Sequence, residues 1–265
     1  MASVSEKELT NALNSAGGFA WWYLDLTSRD DDGSLEGLVL IWSLGLPFLS
    51  GSRTGPIASS RPSLSLAIYR AGVAQLYLLQ QHDSWSHLEG VHGSLRMGAS
   101  LFEVSCDGES FDARILLDEP VPGSSERLQG AVRVGGPAVS LRESPGSLHV
   151  WSPRVLEGSG QARLRFGSKS WEISGSAYFD GNVSAVPLHE QSIESWRWGR
   201  FHCAGRTWVF YDVRGEQEGA ERRLVLTASA TEPATARADV AVSFAAERRG
   251  RYGMVAPRRI ELAGQ

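Results

Sequence analysis

Along most of the chain, apolar and polar positions alternate in short runs with a period of two, the signature of half-buried strands. Such runs occur at Phe19–Leu26, Leu35–Leu44, Ser63–Tyr69, Ala74–Gln80, Leu101–Cys106 and Phe111–Leu117, with turn residues between them. After the punctuating segment ESPGS at Glu143–Ser147, eight more segments read the same way. They are His149–Ser152, Gln161–Phe166, Ser170–Asp180, Glu194–His202, Arg206–Val213, Arg222–Ala230, Ala238–Phe244 and Tyr252–Leu262. Only residues 5–15 suggest a helix, and a short one. Eight antiparallel strands suffice to close a small barrel that holds one ligand. The pattern therefore predicts an all-β protein: a sandwich or incomplete barrel over residues 1–145, packed on an eight-stranded barrel with an acidic site over residues 146–265. The Gly-, Ser- and Pro-rich stretch Ser50–Pro62 reads as a surface loop.

Composition narrows the ligand. Nine Trp, nine Phe and six Tyr beside 29 Gly suit twisted strands around an aromatic interior. A net charge of −4 leaves no surplus of cations for phosphates, which argues against nucleic acid and for a neutral or apolar small molecule. Cys106 and Cys203 are too few and too far apart for a disulfide framework or a paired metal site. The polar N-terminal stretch has no apolar signal region, and the run Leu35–Leu49 is interrupted by Glu36, Ser43, Gly45 and Pro47. A cytoplasmic protein is expected, one that visits a membrane surface to collect its substrate.

No GxSxG, GxGxxG, GxxxxGK[ST] or HExxH motif is present, so the commonest hydrolase, dinucleotide, P-loop and zincin chemistries have no foothold. His82, His87 and His92 are spaced by five, which turns His87 away from the other two on any strand. They are expected to be solvated loop histidines rather than metal ligands. Asn182-Val183-Ser184 matches a glycosylation sequon but carries no weight without export.

Two pairs of residues do suggest chemistry. His149 and Trp151, and likewise Tyr178 and Asp180, are two apart and so share a strand face. If both faces point into a barrel, an imidazole, an indole, a phenol and a carboxyl converge. Aromatic surroundings desolvate the carboxyl and raise its pKa, leaving a neutral acid able to protonate an electron-rich alkene. The resulting cation would be stabilised by Trp and Tyr faces, by about 2 kcal/mol or more per desolvated ring. His149 would orient Asp180 or activate water, and Tyr178 would hydrogen-bond either. Against this stands a plain alternative: Asp180-Gly181-Asn182 is also a common hairpin turn, with its carboxylate in water.

These residues resemble a known pattern. GGFAWWYLDL at Gly17–Leu26, HVW at His149–Trp151, GSAYFDGN at Gly175–Asn182, the spaced motif at Pro187–Arg200 and YGMVAPRRIEL at Tyr252–Leu262 are similar, in order, to the carotenoid 1,2-hydratase (hydroxyneurosporene synthase) family of the lipocalin-like superfamily. The segment Arg61–His92 and the residues after Asp180 follow that pattern poorly. The resemblance implies two lipocalin-like (calycin-type) halves and a cofactor-free enzyme. It also implies Asp180, His149, Tyr178 and Trp151 as catalytic residues together with one of Trp21 and Trp22, the spacing leaving open which of the two faces the cavity. Trp21, Trp22, Tyr23, Trp42, Trp196 and Trp198 are the expected substrate-binding aromatics. The implied reaction is protonation of a terminal isoprenoid double bond and capture of the tertiary cation by water. A cofactor-free cyclase or pericyclase (Diels-Alderase-like) of the same superfamily, and a non-catalytic carrier of a lipophilic ligand, remain as alternatives. None of the three requires a metal or redox cofactor.

Overall fold

The computed structural model describes residues 6–29, 32–45, 61–86, 93–139, 149–216, 221–229, 232–249 and 255–264. Most of the predicted loop Ser50–Pro62, the ESPGS segment, His87 and His92 lie outside the described residues. Helix α1 (Glu6–Asn14) precedes β1 (Phe19–Arg29), β2 (Leu35–Leu44), β3 (Pro62–Arg70), β4 (Val73–Gln81), β5 (Trp85–Ser86) and β6 (Ser94–Met97). Next come β7 (Ser100–Cys106), β8 (Ser110–Pro120), β9 (Arg127–Pro137), β10 (Val150–Phe166) and β11 (Lys169–Ser184). After a 3₁₀ turn (Leu188–Glu190) follow β12 (Ile193–Cys203), β13 (Arg206–Gly215), β14 (Glu221–Ala228), β15 (Thr235–Ala236), β16 (Val240–Arg249) and β17 (Val255–Gly264). The all-β expectation holds, and every pairing is antiparallel. Among the described residues no helix is long and apolar enough to cross a membrane.

The division of the chain differs from the predicted 145/146 boundary. The chain folds as two compact units, Met1–Ser192 and Ile193–Gln265. The first unit is a curled, lipocalin-like sheet of eleven strands in the order β4-β3-β2-β1-β11-β10-β9-β8-β7-β6-β5. The second holds a four-stranded sheet, β12-β13-β14-β15, and the hairpin β16–β17, not a barrel of eight strands. The reason lies in pairing partners, which local periodicity does not encode. The segments His149–Ser152 and Gln161–Phe166 merge into one long strand, β10, and β11 pairs both with β10 and with β1. The N-terminal strand thereby captures the hairpin expected to start the second domain.

The eleven-stranded sheet buries one face. Leu24 and Leu26 on β1, Leu38, Leu40 and Trp42 on β2, Leu64, Leu66 and Ile68 on β3, and Ala177 and Phe179 on β11 join Phe102, Phe111 and Ile115 in one apolar cluster. Helix α1 sets Ala12 and Leu9 against Ala20, Val150 and Val183. The Gly-Gly pair before β1 permits this docking: a Cβ on Gly18 would lie 2.1 Å from the Ala12 carbonyl oxygen, and Gly17 has φ +73°. In the second unit, Phe210, Val225, Val240 and Val242 form a smaller cluster, and buried Asp212 accepts a 2.9 Å bond from Arg223.

Candidate active site

No turn interrupts the chain at Asp180. β11 continues to Ser184, and Gly181 is not in the left-handed region. Because strand side chains alternate, Tyr178, Asp180 and Asn182 project from one face while Ala177, Phe179 and Val183 project from the other. In register with them across β1 are Asp25, Tyr23 and Trp21, and across β10 Pro153 faces Asp180 and Trp151 faces Asn182. Pro153 stands where the register of β10 against β11 shifts, between Pro153 and Val155, the kind of irregularity at which a strand accommodates a residue without an N–H.

Three of the four predicted side chains, Trp151, Tyr178 and Asp180, meet directly, and His149 joins them through Asn182. Asp180 is 4% exposed and His149, Trp151 and Tyr178 are fully buried. Trp151 Nε1 and Tyr178 Oη each donate to Asp180 Oδ2 at 2.8 Å, and Asn182 Nδ2 donates to Oδ1 at 3.0 Å. Their location differs from the one expected: the set lies on the sheet face opposite the apolar core, because the curled interior is already filled by the alternate residues of the same strands. Phe19 stacks on Trp21 with ring centroids 5.0 Å apart, and His149 lies 5.9 Å from Trp21.

Burial pushes the Asp180 carboxyl up to about 7, and the negative charge of Asp25 adds to the rise. The donors Trp151, Tyr178 and Asn182 favour the anion and oppose it. Burial pushes His149 down to about 4, against side-chain hydrogen bonds with Gln191 and Asn182 that favour its cation. Near neutral pH the site therefore holds an acid close to its midpoint beside a neutral imidazole. Oδ2 accepts two donors and Oδ1 one, which leaves Oδ1 with more room for a proton when the carboxyl is neutral.

Three contributors are not singled out by the sequence. Asn182, 2% exposed, hydrogen-bonds Asp180 and is also a side-chain partner of His149; the turn reading of DGN conceals it. Gln191 accepts the His149 backbone N–H at 2.9 Å and donates to Ser184 Oγ and the Val186 carbonyl, fixing the start of β10. Asp25, 7% exposed, stands in the GGFAWWYLDL motif among more conspicuous aromatics.

Of the predicted substrate-binding aromatics, Trp21 and Tyr23 share the Asp180 face. Trp22 and Trp42 do not: they pack in the core against Phe102, at centroid distances of 5.9 and 5.2 Å. Adjacent residues of a strand face opposite ways, so only one of Trp21 and Trp22 can stand beside Asp180. Trp196 and Trp198 lie on β12 in the second unit, where the Trp196 ring is 6.2 Å from Tyr211. His82, expected in solvent, places Nε2 3.2 Å from the buried Glu119 carboxylate. Among the described residues no group of three or more His, Cys, Asp or Glu is arranged to hold a metal ion.

The family described as Carotenoid hydratase CrtC matches residues 73–249, which include all of β10 and β11. The chain is 28% identical over 226 residues to the acyclic carotenoid 1,2-hydratase of Thiocapsa roseopersicina, covering 80% of this chain and 52% of that protein. It is 29% identical over 229 residues to the acyclic carotenoid 1,2-hydratase of Rubrivivax gelatinosus, covering 79% and 52%. The chain thus spans about half the length of these relatives. A solved structure assigned to AttH, from Nitrosomonas europaea, shares the fold with a TM-score of 0.60 at 12% identity, over 93% of this chain and 77% of that one.

Proposed function

Because the chain belongs to the carotenoid hydratase CrtC family, we propose that it adds water across a terminal carbon–carbon double bond of an acyclic, carotenoid-like polyene, with Asp180 as the acid. The substrate class follows the name of the two hydratases it resembles. The observation that carries the acid role is the buried Asp180 carboxyl, raised to about 7 and held between Trp151, Tyr178 and Asn182.

In the proposed step the Asp180 proton moves to the less substituted alkene carbon, the π electrons form the new C–H bond, and the neighbouring carbon becomes a tertiary cation. Trp151, Trp21 and Tyr23 supply electron-rich faces for that charge. Water, oriented by neutral His149, forms the C–O bond. The oxonium then returns one proton to the Asp180 carboxylate, so the acid is regenerated and the net change is alkene plus water to tertiary alcohol. No electrons are gained or lost overall, so no redox partner enters the balance.

The test is Asp180→Asn, assayed by the mass gain of one water on an acyclic carotenoid. Turnover is expected to fall about 100-fold or more, the usual size of a positioned acid's contribution, with the folded far-ultraviolet spectrum kept. An Asn variant that retains turnover eliminates Asp180 as the acid.

A further inference from the structure

The strand pairings carry the neighbourhood of the acid well beyond β11. Directly paired residues share a sheet face, and the row through Asp180 continues as Tyr23, Ile41, Ser65 and Leu79 on β1, β2, β3 and β4. The next row starts at Tyr178 and runs through Asp25, Val39 and Ala67 to Tyr77. β4 is the last strand of the sheet on this side. Its two row ends stand out as exposed large apolar side chains, Tyr77 at 65% and Leu79 at 60%. Leu78 between them is buried in the core, so their exposure does not come from a loosely packed strand.

Exposed apolar groups mark an interaction surface, and these two connect in register with the candidate acid through half-buried Val39, Ile41 and Ser65 and buried Ala67. Four strand spacings separate β11 from β4, giving a track about 19 Å long. Between its ends the rows carry Tyr23, Ile41 and Ser65 on one side and Asp25, Val39 and Ala67 on the other, so the one charged group of the track, Asp25, stands at its acid end. A long, linear, water-insoluble chain fits such a lane; a compact or ionic ligand would leave most of it unused.

We propose that this lane binds the extended body of a polyene, with the reacting end at Asp180 and the distal part against Tyr77 and Leu79 on the edge strand. The proposal rests on the reading of Asp180 as the acid acting on such a substrate. Tyr77 and Leu79 thus contribute to selection by chain length and take no part in the bond-making step.

The experiment uses the full chain carrying Asp180→Asn, so that binding is read without turnover, and measures lycopene transferred from phosphatidylcholine vesicles by its absorbance on the recovered protein. Adding Tyr77→Glu and Leu79→Glu together is expected to raise Kd for lycopene about tenfold or more, the equivalent of losing one buried apolar side chain. Ile260→Glu, an exposed apolar site on β17 of the other unit, is expected to leave Kd unchanged. With Asp180 intact, kcat/KM for citronellol, which is too short to reach past the first strands, is expected to stay within about twofold in the double variant. Unchanged lycopene Kd in the double variant overturns the lane while leaving the proposed reaction standing. An equal loss on citronellol and lycopene also overturns it, because the effect would then not depend on chain length. Failure of the parent protein to take up lycopene at all overturns both this lane and the polyene reading of the site.

Discussion

Two of the buried titratable groups at the site, Asp180 and His149, make opposite demands on pH, and the stability of single variants will expose them. Asp180 has an ordinary value of 3.8 and is raised to about 7 in the fold. Between those values the native state holds a proton that the unfolded state has released, so stability is fully present below pH 3.8 and is lost as pH rises through 7. The loss amounts to about 1.4 kcal/mol per pH unit, or about 4 kcal/mol in all. His149 runs the other way. Lowered from 6.5 to about 4, it is neutral in the native state while the unfolded chain takes up a proton, so about 3 kcal/mol is lost as pH falls from 6.5 to 4. Over that shared window the two slopes cancel, and the wild-type pair contributes a flat line. Asp180→Asn removes one slope. The variant is expected to gain about 3 kcal/mol on the wild type between pH 4.5 and 7, whatever constant offset its new amide incurs against Asn182 Nδ2. His149→Gln is expected to gain a similar amount as pH falls from 6.5 to 4. Urea unfolding at half-unit pH steps, with the m-value checked for constancy, measures both differences. Parallel curves for wild type and Asp180→Asn would refute the argument that this carboxyl is held protonated by burial.

Other outcomes follow from single contacts. Trp151→Phe removes a donor that favours the Asp180 anion, so the pH at which the proposed hydration is lost on the alkaline side should move upward; a downward move contradicts the assignment. Phe102→Ala, which strips the ring packed on Trp22, Trp42 and Phe179, should cost about 3–5 kcal/mol in denaturant unfolding. Gly18→Ala, whose methyl would meet the Ala12 carbonyl oxygen, should cost about 1–3 kcal/mol, seen as a lower Tm with α1 loosened from β1.

The residues of the site were legible because their spacing is local. His149 with Trp151 and Tyr178 with Asp180 are two apart, and a strand puts such residues on one face whatever its partners are. Which face, and beside what, depends on pairings between residues more than a hundred positions apart, such as Tyr23 with Asp180. Those cannot be read from periodicity. For the same reason the sequence left Trp21 and Trp22 unresolved, and it grouped Trp42 with the site although β2 turns that ring into the core. Asn182 was hidden by turn chemistry: Asp-Gly-Asn commonly bends a chain, yet here β1 and β10 flank it on both sides and hold it extended. The 145/146 boundary failed where ESPGS looked like a linker but the strand beyond it pairs backwards into the first unit.

Strands β1 and β11 are odd–even composites, with the candidate site residues on one parity and the greasy filling on the other. A slip of one residue between them would push Asp180 among leucines and turn Phe179 outward. Folding to the wrong ladder is thus penalised by the same buried carboxyl that occupies the candidate site, so the seating of Asp180 doubles as proofreading of the sheet.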